Sequence, residues 1–156
     1  MLISKNRIIP TAILVGACFA FTGAALTSTA SADPGPVVVR CNGLVVTDKV
    51  PANWGPVAFV PANPNGDNVI LGTMNRDVIF AGAGNDTICS LGGLDENWGE
   101  GGNDTIFSGT DDDRNLGGFG ADRFDCGPGG SDVANGGGDL DVDVALPNCE
   151  NQFSIP

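Results

Sequence analysis

The chain has 156 residues, no histidine, no tyrosine and a formal net charge of −12 at neutral pH. The absence of histidine removes the most common general base and the usual ligand of transition metals. Such an acidic surface repels nucleic acids and anionic membranes and favours cations. We therefore expect cation partners and no nucleic-acid partner.

The N-terminal segment is typical of a secretory signal peptide. A basic head precedes an apolar run over residues 8–26, and an A-x-A cleavage motif occupies residues 30–32. We expect residues 1–32 to be removed, so that the mature, secreted chain begins at Asp33. The alternatives are a transmembrane anchor and a lipid attached to Cys18. A proline and two glycines interrupt the run, and apolar residues continue past Cys18, so both are disfavoured and no membrane span is expected.

Residues 33–62 are predicted to form an irregular N-terminal cap, in which "VPAN" begins at Val50 and again at Val60. The cap contains Cys41, the first of four cysteines that remain after the predicted cleavage. An even number of cysteines in a secreted chain indicates disulfides. A zinc site is disfavoured because the chain has no C-x-x-C pair and no histidine.

A nine-residue repeat runs from Asn63 to about Val133. Glycine recurs at the fourth position, namely at Gly66, Gly84, Gly93, Gly102 and Gly120. An acid or its amide occupies the sixth position of seven successive units: Asn68, Asp77, Asp86, Asp95, Asp104, Asp113 and Asp122. One inserted residue would add Asp132 as an eighth. A disordered acidic chain would not keep this register, so the repeat indicates regular structure.

The repeat length predicts an all-β solenoid of parallel strands. Three residues can form a strand with the eighth position inward, and six residues rich in glycine can reverse the chain. Two units then make one coil of 18 residues, and coils stack at the strand spacing of about 4.8 Å. This would explain why "NDTI" occurs at residues 85–88 and again at 103–106.

The solenoid would stack the sixth-position acids in two columns, one along each edge. Asn68, Asp86, Asp104 and Asp122 would share one edge, and Asp77, Asp95 and Asp113 the other. Carboxylates about 5 Å apart repel each other unless cations lie between them. Carboxylate and carbonyl oxygens suit Ca²⁺, which tolerates flexible geometry better than Mg²⁺ does. The sequence therefore predicts calcium as the ligand.

Three segments carry a resemblance to a known family: "GAGNDTI" from Gly82, "GGNDTI" from Gly101 and "GGFGADRF" from Gly117. They resemble the G-G-x-G-x-D-x-U-x nonapeptide of hemolysin-type (repeats-in-toxin) calcium-binding proteins. The arrangement is similar to small secreted calcium-binding repeat proteins of actinobacteria. The resemblance implies a parallel β-roll over residues 63–133 whose turns hold calcium through aspartates and main-chain carbonyls. The implied metal-site residues are Asp77, Gly82, Gly84, Asp86, Asp95, Gly102, Asp104, Asp113, Gly118, Gly120 and Asp122.

Some units depart from the family pattern. Asn68 replaces the aspartate of the first unit, Asn75 and Asp111 replace fourth-position glycines, and Arg76 stands beside Asp77. We therefore expect the edge with Asp86, Asp104 and Asp122 to be the better calcium column.

Two apolar stripes would point outward at the ninth position. The first, Leu71, Cys89 and Phe107, would lie under the N-terminal cap. The second, Phe80, Trp98 and Leu116, would either pack against the C-terminal cap or bind a partner. Asn97 and Asn115 fall at inward positions on the second sheet, where stacked amides can hydrogen-bond. A local shift that turns Trp98 and Leu116 inward is the alternative.

Residues 134–156 are predicted to form a C-terminal cap. Three disulfide pairings are open, and we favour Cys41–Cys89, which pins the first cap, and Cys126–Cys149, which closes the terminal loop. That loop holds Asp139, Asp141 and Asp143. They could bind a further cation, but a solvated acidic loop is the expectation.

Function follows from these expectations. We predict a secreted calcium-binding β-roll protein that folds on binding the metal. The alternative is an extracellular interaction protein that uses the roll as a platform for a protein or polysaccharide partner. Paired carboxylates could serve a glycosidase, but metal binding accounts for every acid in the repeat, so no enzyme activity is expected.

Overall fold

A computed structural model describes residues 40–51 and 58–155, and the predicted signal peptide lies outside these ranges. In the described part of the chain the fold is all-β, as the sequence predicts, and no helix there is long and apolar enough to cross a bilayer. The strands are β1 (Arg40–Cys41), β2 (Leu44–Val45), β3 (Asp48–Lys49), β4 (Ala58–Phe59), β5 (Val69–Leu71), β6 (Val78–Ala83), β7 (Thr87–Cys89), β8 (Glu96–Gly101), β9 (Thr105–Phe107), β10 (Arg114–Phe119), β11 (Arg123–Asp125), β12 (Val133–Gly137), β13 (Val144–Ala145) and β14 (Asn151–Phe153).

The strands form a parallel β-solenoid with two six-stranded sheets. Odd-numbered strands from β3 to β13 stack in one sheet, and even-numbered strands from β4 to β14 stack in the other. Thr87 pairs with Thr105, and Ile88 pairs with Ile106, so the two "NDTI" segments occupy the same place in successive coils. The 18-residue coil predicted from the repeat is therefore confirmed.

Inward residues of the two sheets fill a narrow core. Ile70, Ile88, Ile106 and Phe124 line one sheet, and Ile79, Asn97, Asn115 and Ala134 line the other; all are fully buried. Asn97 Nδ2 donates a hydrogen bond to Asn115 Oδ1 at 3.0 Å, and Ser90 Oγ donates to Asn97 Oδ1 at 2.8 Å. Stacked amides were the expectation for these positions, and no shift turns Trp98 or Leu116 inward.

Both predicted disulfides are present. Cys41–Cys89 joins the β1–β2 hairpin to the outer face of the first sheet, where Cys41 and Cys89 cluster with Phe107. Cys126–Cys149 lies in the core near the C-terminal end. The hairpin therefore covers the first apolar stripe, as expected.

The sheets extend beyond residues 63–133 at both ends. β3 and β4 precede the repeat, and β13 and β14 follow it, each paired in parallel with the neighbouring coil. The nine-residue register does not extend to β13 and β14 because extra residues in the late turns shift it. The predicted C-terminal cap therefore contributes regular strands to the solenoid.

On the edge that carries Asp86, Asp104 and Asp122, stacking of the turns depends on glycine at the fourth position, and Gly102 provides a test. Its φ of 121° is in the left-handed region, and a Cβ there would collide with the carbonyl of Gly84 in the coil below. We expect Gly102→Ala to lower the free energy of unfolding by about 3 kcal/mol or more. Gly101→Ala is the matched control, since a Cβ on Gly101 meets nothing within 4 Å. Urea denaturation of both variants checks this, and equal midpoints would contradict it.

Candidate metal centre

The sixth-position aspartates form two buried ladders, one on each edge, in which a carboxylate accepts a backbone N–H from the preceding coil. In the first ladder, Asp86 N donates to Asp104 Oδ1 and Asp104 N donates to Asp122 Oδ1, both at 2.8 Å. In the second, Asp77 N donates to Asp95 Oδ1 at 2.7 Å, and Asp95 N donates to Asp113 Oδ1 at 2.9 Å. The parity deduced from the sequence therefore gives the correct two edges.

The ladders continue further than the repeat predicts. Asp113 N donates to Asp132 Oδ1 at 2.8 Å, which places Asp132 as the expected eighth member. Asp122 N donates to Asp143 Oδ1 at 2.9 Å, and Asp132 N donates to Glu150 Oε2 at 3.0 Å. Asp143 is buried, so its expected place in a solvated loop was wrong. Its spacing of 21 residues from Asp122, instead of 18, hides it from a fixed repeat.

A further ladder, which the sequence did not predict, involves the fifth position on the first edge. Asn103 N donates to Asn85 Oδ1, and Ala121 N donates to Asn103 Oδ1, both at 2.8 Å. These bonds run in the opposite direction, because the N–H of the later coil reaches back to the earlier one. In each recurrent Asn-Asp pair, the side chain of the Asn therefore accepts a hydrogen bond from the later coil, and that of the Asp accepts one from the earlier coil. The signal was present as an acid or its amide at three successive fifth positions of this edge, Asp67, Asn85 and Asn103.

The second carboxylate oxygen of most ladder residues lacks a partner. Six Oδ2 atoms are buried from solvent and accept no hydrogen bond: those of Asp86, Asp95, Asp104, Asp113, Asp122 and Asp132. A buried carboxylate oxygen without a donor is costly unless a proton or a cation compensates it. Each of these residues is therefore incomplete with protein atoms alone.

Main-chain oxygens lie close to the unpartnered oxygens. Asp104 Oδ2 and the carbonyl oxygen of Gly117 lie on the same side of Gly99. A Cβ added to Gly99 would contact Asp104 Oδ2 and would lie 2.7 Å from that carbonyl oxygen. Among the described residues, no three acidic or cysteine side chains converge as a ready metal cluster. Any cation at the ladders would therefore need carbonyls as well as carboxylates. This mixed oxygen set fits a hard cation such as Ca²⁺.

The predicted glycine positions line up with these ladders. Gly84, Gly102 and Gly120 stack in successive turns of the first edge, each against the backbone of the turn below. Gly82 and Gly118 lie in β6 and β10, where a Cβ would strike the carbonyls of Pro64 and Glu100. All five have positive φ. The structure therefore assigns these glycines a steric role in bringing coils together, and their carbonyls as metal ligands remain a prediction.

Burial perturbs the ladder carboxyls. It raises the pKa of Asp95 to about 8 and that of Asp132 to about 6. It also raises the pKa to about 7 for Asp104, Asp113 and Asp122. The hydrogen bond from the preceding coil lowers each pKa, and carboxylates on neighbouring coils raise it. Without a cation, the fold therefore favours protonated carboxyls up to near-neutral pH.

Metal-free protein should accordingly be more stable near pH 5 than near pH 8. The folded-state pKa values lie above the ordinary value of 3.8, so between that value and about 8 the folded state binds more protons than the unfolded state. The stability that these protonated carboxyls contribute is therefore fully present below a pH of 3.8 and is lost as the pH rises towards about 8. Urea denaturation of metal-stripped protein at the two pH values measures the effect. A lower midpoint at the acidic pH would contradict it.

Comparison with known proteins identifies no relative: no protein-family model, no curated protein and no solved structure matches this chain.

Proposed function

We propose that this is a secreted calcium-binding β-roll protein whose aspartate ladders hold Ca²⁺ between coils. The supporting observation is the set of six buried Oδ2 atoms without a partner. A cation would neutralise the repulsion between successive carboxylates and satisfy these oxygens. Two disulfides are typical of proteins in oxidising compartments, which supports secretion. The proposal includes no catalytic activity.

The first edge is the better candidate column. Asp86, Asp104 and Asp122 lie in turns with glycine at the fourth position. On the second edge, Asp111 takes that position with a φ of 80°, which is strained for a residue with a side chain. Arg76 on that edge pairs with Glu96 at 2.6 Å, an ion pair without net charge, so the assignment rests on the turn geometry. We therefore assign the tighter sites to the first edge.

A calorimetric titration of metal-stripped protein with calcium tests the proposal. We expect saturable binding of more than one ion, and weaker binding of magnesium, which demands near-ideal octahedral geometry. Titration in two buffers of different protonation enthalpy adds a second readout, since calcium should displace protons from the raised carboxyls. No heat of binding at millimolar calcium would reject the proposal.

A second candidate function is an interaction platform on the second sheet. Phe80 and Trp98 stack with ring centroids 5.4 Å apart, and together with Leu116 they stay half-buried. An open groove of about 410 Å³ adjoins Phe80 and includes Val60 and Glu100. An extracellular protein or polysaccharide is the proposed partner class.

Pull-down from native medium should recover a partner with wild-type protein in calcium and lose it both with chelator and with Trp98→Ser. Equal recovery by Trp98→Ser would reject the platform.

A further inference from the structure

The first member of each ladder differs from those that follow it, because hydrogen bonds within the protein satisfy its side chain. Asn68 Nδ2 donates to the carbonyl oxygen of Asn63 at 2.9 Å, to that of Gly66, and to Asp86 Oδ1 at 3.2 Å. The amide thus contacts three oxygens: two from its own turn and one from the ladder residue of the next coil. No atom of Asn68 is among the buried polar atoms without a partner.

The second ladder starts with a comparable arrangement. Asp77 Oδ2 accepts hydrogen bonds from Thr73 N at 2.7 Å and from Thr73 Oγ1 at 3.1 Å. Thr73 occupies the second position of its unit, where Gly82, Glu100 and Gly118 stand in other units. A hydroxyl donor at this position is therefore available to Asp77 but not to Asp86, Asp104 or Asp122.

The atoms of Asn68 indicate what the later turns lack. Replacing Nδ2 by a carboxylate Oδ2, as in Asp86 and Asp104, removes two donors and puts a negative oxygen near carbonyl oxygens. The two carbonyls that Asn68 contacts belong to the first and fourth positions of its unit. An amide NH₂ and a calcium ion can each bring such oxygens together, whereas a bare carboxylate cannot.

We propose that the Asn68 amide and the Thr73 donors take the place of bound calcium in the first coil. The calcium column then begins at the second coil, with Asp86 and Asp95 as its first unsatisfied members. The first coil, residues 63–80, closes without metal and offers a formed edge on which later coils add as calcium binds. This inference rests on the proposed calcium binding, and it adds where along the chain the requirement for metal starts.

Wild-type protein provides a test that needs no variant. Hydrogen exchange in chelator should leave the amides of β5 at least as protected as those of β9. A stack that frays only from its ends predicts the reverse, since β9 lies in the middle of its sheet and β5 lies near one end. Calcium should then restore protection in β9. Lower protection of β5 than of β9 in chelator would overturn the inference.

Asn68→Asp is the decisive variant. It replaces the amide donors with a carboxylate, so β5 should lose at least ten-fold in exchange protection without calcium and regain it with calcium, and the number of bound calcium ions should rise by one. Asn85→Asp is the matched control. Asn85 is exposed, its Oδ1 accepts Asn103 N, and an aspartate keeps that acceptor while making the same charge change. This control should match wild-type protein in both measurements.

The outcomes separate the two claims. If wild-type protein binds no calcium, the proposed function fails, and this inference fails with it. If wild-type protein binds calcium but Asn68→Asp gains no ion, or is not restored by calcium, only this inference is overturned. A variant that folds neither with nor without calcium also overturns this inference alone, because the amide would then be a structural donor at a place that cannot take the metal.

Discussion

Excess calcium should raise the free energy of unfolding of the metal-stripped protein by about 2.7 kcal/mol for each site filled at about 100 times its dissociation constant. Two or three such sites would contribute roughly 5 to 8 kcal/mol, which is comparable to the whole stability of a small domain. The reason is the cost of six buried carboxylate oxygens that have no protein donor. The coils that contain these oxygens are therefore expected to be largely unfolded at neutral pH in the metal-stripped protein, whereas the coil of residues 63–80 does not carry this cost.

Urea denaturation followed by far-ultraviolet circular dichroism measures this effect in calcium and in chelator. Magnesium at the same ionic strength is the control, because screening alone would act equally for both ions. Identical midpoints in calcium and chelator would show that the ladders are stable without metal. Protonation of the buried carboxyls would then explain how the ladders form without metal, and the protein would still be expected to be most stable at acidic pH.

Asp104→Ala should weaken calcium binding by about ten-fold or more, equivalent to about 1.4 kcal/mol, and clearly more than Asp77→Ala does. Asp104 lies in the middle of the first column, and its Oδ2 has no protein partner. Asp77 starts the second column and already accepts hydrogen bonds from Thr73. Removal of Asp104 therefore affects sites on both sides of it, whereas removal of Asp77 affects one edge at its end.

Calorimetric titration of both variants at equal ionic strength makes this comparison. Asp104→Asn is a useful control, since it keeps the Oδ1 acceptor for Asp86 N and adds a donor of the kind that Asn68 provides. It should lose calcium affinity while gaining stability in chelator. Equal losses of affinity in Asp104→Ala and Asp77→Ala would contradict the assignment of the two edges.

The regular part of this fold could be predicted from the sequence because its period is strict. Each coil repeats the same geometry, so the register of Asp86, Asp104 and Asp122 determines strand pairing, the inward residues and the two edges. The Cys41–Cys89 pairing followed from the same geometry. Cys89 falls at an outward position of β7, where the preceding cap can reach it.

The missed features are those that a fixed period cannot show. Asp143 was missed because its spacing of 21 residues breaks the 18-residue period, and Glu150 was missed because it lies beyond the predicted repeat. The opposite hydrogen-bond directions of Asn85 and Asp86 depend on side-chain geometry within one turn, which composition does not reveal. The closure of the first turn by Asn68 was visible only as a departure from the motif.

The most direct test of the calcium columns is a crystal structure of the calcium-loaded protein with anomalous scattering data. We expect anomalous peaks at about 2.3 to 2.6 Å from the Oδ2 atoms of Asp86, Asp104 and Asp122, with carbonyl oxygens completing each site. No peak is expected beside Asn68. A structure at saturating calcium with no peak along the first edge, and with those Oδ2 atoms still buried and unbound, would contradict the account.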